Sequence, residues 1–128
     1  MTERPLSPHV FHYKWAYTMT LSILHRVSGL ALALGLIGLV AWLVSISLGG
    51  AQYAALQSVY LSWPLQVLIA IAIVTLVYHF CNGLRHLAWD FGWGYERHQA
   101  RRSAAIVVVA TVIISVACLY FMFRHGAA

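Results

Sequence analysis

Charge is what this sequence most conspicuously lacks: Asp, Glu, Lys and Arg make up 9% of its 128 residues, against roughly a quarter in an average soluble domain. With 62% hydrophobic residues, the chain falls outside the ordinary soluble class and belongs in a lipid bilayer. Cysteine is represented only by Cys81 and Cys118. Both fall inside apolar segments, where a free thiol behaves as a small hydrophobe, and no metal-type spacing connects them. An iron–sulfur centre held by this chain is therefore excluded, and a disulfide is not expected. No Gly-rich dinucleotide fingerprint is present. The N-terminal stretch MTERPLSPH is polar and carries no apolar segment behind a basic start. Neither a secretion signal nor an Arg/Ser-rich transit peptide is expected, and the chain reads as a bacterial product used unprocessed. Without an internal repeat or a dividing linker, residues 1–128 form one membrane-anchor domain.

What is abundant is long apolar sequence. A hydrocarbon core of about 30 Å takes roughly 20 residues to cross as a helix, so a chain of this length supplies three or four crossings at most. Three runs qualify. The first holds no charge from Val27 to Leu48 and closes at Gly49 and Gly50; the second opens at Trp63 and Pro64; the third runs from Ala104 to Phe123. The expected architecture is an all-α integral membrane protein with an arm over 1–21, spans at about 22–48, 63–89 and 104–123, and a connecting loop over 49–62. The arm contains RPLSPH and is either extended or an interfacial helix near Trp15, Tyr17 and Met19.

The net charge of +5 points to membrane orientation rather than to nucleic acid. Arg4, Lys14 and Arg26 precede the first span, and Arg85, Arg97, Arg101 and Arg102 separate the second from the third, whereas 49–62 has no basic residue. Lys and Arg gather on the cytoplasmic side, so the N-terminus and the segment before the third span are expected there.

That orientation brings two polar groups to one depth. Ser22, His25 and Arg26 open the first span, and His79, Arg85, His86 and Asp90 close the second. Ser22 and Arg26 are one turn apart, and His79, Gly83, His86 and Asp90 follow at helical steps, so each helix presents one polar stripe. His79 sits roughly 9 Å deeper along its helix than Arg85. Ionisable groups at such depth cost at least a few kcal/mol and usually face the protein interior with a function.

Neutral imidazole is an axial ligand for haem iron, and Gly83 would leave a flat face beside it for a porphyrin. Each residue has a plainer alternative: hydrogen-bonded packing for His79, close helix packing for Gly83, an N-cap for Ser22, interfacial anchoring for Arg85 and a salt bridge to Arg26 or Arg85 for Asp90. His25, Arg26, Arg85 and His86 would suit haem propionates. Ser22 and Arg26 would suit a quinone carbonyl, and Asp90 could deliver a proton.

Three stretches together resemble the cytochrome b membrane-anchor family of succinate dehydrogenase, respiratory complex II: Arg4-Pro5-Leu6-Ser7-Pro8-His9, Ser22-Ile23-Leu24-His25-Arg26-Val27-Ser28-Gly29, and His79 with Gly83, Arg85, His86 and Asp90. The resemblance implies haem b with His79 as one axial ligand, the other coming from a second membrane anchor subunit packed into a shared haem-binding helical bundle. It implies Ser22 and Arg26 at the ubiquinone pocket, and His25, Arg26 and His86 near the propionates. It further implies a flavoprotein subunit and an iron–sulfur subunit as partners, and a multi-pass position in the bacterial inner membrane. Two other readings stay open: a fumarate reductase anchor using menaquinol, and a small transporter or structural protein with a polar intramembrane path.

Overall fold

The computed structural model describes residues 16–126, in four helices: α1 (Tyr17–Leu48), α2 (Gly50–Tyr60), α3 (Trp63–Asp90) and α4 (Arg97–Gly126). Three of them, α1, α3 and α4, are long and apolar enough to cross a bilayer. No strand occurs among the described residues. In hydrocarbon each peptide group must be satisfied within its own segment, which a helix achieves and a single strand does not. The RPLSPH arm lies outside the described residues.

Two of the long helices outrun their apolar sequence. α1 begins at Tyr17 with Ala16 as its N-cap, rather than near 22, and α4 begins at Arg97 rather than near 104. Hydropathy marks where lipid lies, whereas helical hydrogen bonding continues into the interface through good helix formers such as Arg, Gln and Ala.

The expected loop over 49–62 is corrected: most of it is α2. Gly49 and Gly50 adopt φ of 62° and 58°, a left-handed geometry that glycine takes without a Cβ clash. The chain thus breaks sharply out of α1 and re-enters a helix through the Ala- and Gln-rich AQYAALQ. Tyr60 Oη donates to the Gly38 carbonyl oxygen at 2.5 Å, and its ring stands 6.3 Å from that of Trp42. The end of α2 is thereby stapled to α1.

α3 carries Pro64 in its first turn, as the missing proline N–H favours. At its other end Gly92, at φ 83°, donates to the Trp89 carbonyl at 2.8 Å while Trp93 N–H reaches the Ala88 carbonyl at 2.9 Å. This paired closure reverses the chain directly into α4.

α3 is the central element, packed on α1 and on α4. The buried residues are mostly polar: Ser28, Ser45, Asn82, Arg85, Thr111 and Ser115, beside Leu21, Ala104 and Val107. Leu34, Ile37, Ile71, Ile113 and Val116 stand on the outside. Lipid is as apolar as leucine, so small residues and interhelical hydrogen bonds rather than apolar burial hold these helices together.

Candidate functional site

Two polar rows run side by side along the last turns of α3, one residue apart in register. Tyr78, Asn82, Arg85 and Trp89 form one; His79, Gly83, His86 and Asp90 form the other. Steps of three and four keep each row on one face, and the rotation of about 100° per residue separates the two.

The first row binds the chain to itself. Tyr78 Oη donates to the Leu21 carbonyl oxygen at 2.6 Å, and Asn82 Nδ2 donates to the same oxygen at 3.3 Å. Arg85 donates from Nη1 to Asn82 Oδ1 at 3.3 Å, from Nε to Ser103 Oγ at 3.1 Å and from Nη2 to the Ala100 carbonyl at 3.3 Å. Its guanidinium carbon lies 4.0 Å from the centre of the Trp89 ring. The anchoring role expected for Arg85 is corrected: it is 5% exposed and clamps α3 to α4. Its angular offset from His79 is what turns it that way. Asn82, fully buried at the hub of this network, is not among the residues expected from the sequence. The available signal was a polar residue one turn before Arg85 within a span.

The second row faces α1. His79 Nδ1 lies 2.9 Å from Ser28 Oγ and 3.2 Å from the His25 carbonyl oxygen. The ring stacks on that of His25 with centroids 4.0 Å apart and planes inclined by 14°. It also lies against Gly29, where an added Cβ would come within 3.0 Å of Cε1. His86 stands 5.0 Å from His25 and meets Trp89 edge-on at 5.2 Å. At Gly83 an added Cβ would meet His25 Cε1 at 3.6 Å, an ordinary contact. Packing inside this chain does not require a glycine there.

His25, His79, Gly83 and His86, with Phe80, Leu84 and Leu87, line an open cleft of about 390 Å³. His25 Nδ1 and His86 Nε2 are buried without a hydrogen-bond partner among the described residues. Buried orphan nitrogens are rare in complete structures. They fit a ligand that brings polar groups into the cleft. Among the described residues no three His, Cys, Asp or Glu side chains form a cage for a bare metal ion.

Ser22 lies half-buried in the second turn of α1, and Ala16 is the N-cap; the capping alternative for Ser22 is thereby removed. Arg26 is exposed one turn further on. Asp90 is exposed at the end of α3. The ion pair found among the described residues joins His98 to Glu96 at 3.3 Å, so the salt bridge considered for Asp90 with Arg26 or Arg85 does not form. Arg26 and Asp90 nevertheless both lie within electrostatic reach of His86. The start of α1 and the end of α3 do meet.

Three helices long and apolar enough to cross a bilayer, with an imidazole-lined cleft between α1 and α3 near one end, define a multi-span membrane protein. The chain belongs to the succinate dehydrogenase/fumarate reductase transmembrane subunit family, whose sequence pattern matches residues 1–118. It is 33% identical to the succinate dehydrogenase cytochrome b556 subunit of Paracoccus denitrificans over 94% of this chain and 93% of that one. It is 35% identical to the cytochrome b556 subunit of Rickettsia felis over 88% of each chain. With the mitochondrial cytochrome b560 subunit of Bos taurus it shares 42% identity over 89% of this chain and 69% of that one. The family resemblance and the three-span helical architecture are both borne out.

Proposed function

We propose that this chain is the haem b- and quinone-binding anchor subunit of a succinate dehydrogenase, passing electrons from an iron–sulfur subunit to ubiquinone. A flavoprotein subunit would oxidise succinate, and a second membrane anchor subunit would complete the helical bundle and supply the opposite axial histidine. The observation that carries this reading is the cleft itself: His79 held by α1, Gly83 leaving its side open, and two orphan imidazole nitrogens beside it.

A b haem bound there supplies a one-electron centre within the bilayer. His79 would hold its iron. His25, His86 and Arg26 would bind the propionates through charge-assisted hydrogen bonds, and Gly83 would let the ring lie against α3. Ser22 and Arg26 would line the quinone pocket, the hydroxyl donating to a carbonyl oxygen and the guanidinium stabilising negative charge as it develops. Asp90, close to His86 and open to the surface, would deliver protons. The basic residues of the arm, with Arg97, Arg101 and Arg102 in the first turns of α4, support a cytoplasmic position for this end in a bacterial inner membrane.

Replacing His79 by alanine in the assembled complex should abolish the reduced-minus-oxidised b-type spectrum; an unchanged spectrum removes His79 from the ligand role. Arg26→Ala should reduce succinate-to-quinone turnover while succinate oxidation by an artificial acceptor persists.

A further inference from the structure

Ser28 belongs to the SILHRVSG stretch, yet neither the quinone nor the propionate assignment uses it. It is 6% exposed. Its Oγ donates to the His25 carbonyl oxygen at 2.7 Å and stands 2.9 Å from His79 Nδ1, which is itself 3.2 Å from that carbonyl. The three atoms form a closed triangle, and one proton arrangement satisfies all three contacts. A carbonyl oxygen only accepts, so the short Nδ1 contact is favourable only if Nδ1 carries the proton. The hydroxyl proton is committed to the carbonyl, which leaves the serine oxygen lone pairs to accept from Nδ1–H. In the opposite tautomer the Nδ1 lone pair would face the carbonyl oxygen and be repelled.

On the haem reading above, we propose that Ser28 is a positioning residue for His79: it fixes the Nδ1–H tautomer and the ring's rotation, so that the Nε2 lone pair is presented to the iron. A second observation from the same turn supports this. The neighbouring Gly29 has no Cβ, and the ring occupies that space, at 3.0 Å from where a Cβ would sit. One turn of α1 thus forms a seat, with a hydroxyl on one side of the imidazole and bare backbone beneath it. Acceptors on the distal nitrogen of a ligating histidine orient the ring and increase its electron donation to the metal. Stronger donation favours the ferric state, so Ser28 holds the haem potential down.

The test is redox potentiometry and low-temperature electron paramagnetic resonance on the purified whole complex. Ser28→Ala should keep the haem, raise its midpoint potential and displace the low-spin ferric signal. Ser28→Cys, near in size but a poor acceptor, should shift both in the same direction, and Ser28→Thr, which keeps the hydroxyl, should return them toward the parent values. If the alanine variant does not assemble, the cysteine variant carries the comparison. Retained haem with unchanged potential and signal in the alanine or cysteine variant overturns the role of Ser28 alone. A parent complex without a b-type spectrum, or a His79→Ala complex that keeps it, overturns the haem reading and this inference with it.

Discussion

Gly29 packs against the His79 ring and Gly83 lines the cleft beside it, and the two have different tolerances. A methyl at 29 would press on an imidazole already held by Ser28 and the His25 carbonyl, whereas a methyl at 83 meets only ordinary contact. Gly29→Ala should therefore disturb the haem spectrum by displacing the imidazole, and Gly83→Ala should disturb it less, by crowding only the face on which the ring would lie. Gly83→Leu should leave the subunits assembled but abolish the spectrum by filling the cleft; optical spectra normalised to flavin content check all three. On the adjacent row, Asn82 accepts from Arg85 and donates to Leu21. Asn82→Ala would leave a buried guanidinium with one partner fewer, a loss of about 1–3 kcal/mol. A lowered thermal transition of the detergent-purified complex measures it.

At the scale of elements, α3 is a two-sided device whose rows differ in purpose by one residue of register. Tyr78, Asn82 and Arg85 close contacts to α1 and α4, and His79, Gly83 and His86 line the open cleft. The short α2 lies at the end remote from the cleft, with none of its residues buried. The orientation proposed from the basic residues is directly measurable. A cysteine placed at exposed Gln57 in α2 should react with a membrane-impermeant thiol reagent applied to intact cells. One placed at exposed His98 should react only after permeabilisation. The reverse pattern would invert the topology and put the cleft at the outer surface.

For the molecule as a whole, the buried side chains are chiefly small and polar, and large apolar ones face outward. Lipid covers most of that exterior without specificity, but lipid cannot satisfy the orphan nitrogens of His25 and His86. On the proposed haem reading, in which this chain places one imidazole on the iron, the sixth ligand would come from a second chain. Expressed without its companion anchor, this subunit should lose the low-spin b-type spectrum, and co-expression should restore it. A stable low-spin spectrum from the chain alone would contradict a haem shared between subunits.

The three crossings were legible in the primary sequence because apolar length is a property of the chain that hydrocarbon thickness reads directly. So was the meeting of His25 and Arg26 with His79 and His86 at one end, because successive spans run antiparallel and helical spacing is fixed. The helical state of 50–60 was not, since an 11-residue helix is too short to register as a crossing. Helical spacing also showed that Arg85 stands off the face shared by His79 and His86. That Arg85 becomes a buried clamp was not legible, because only the packing of α4 against that side of α3 decides it.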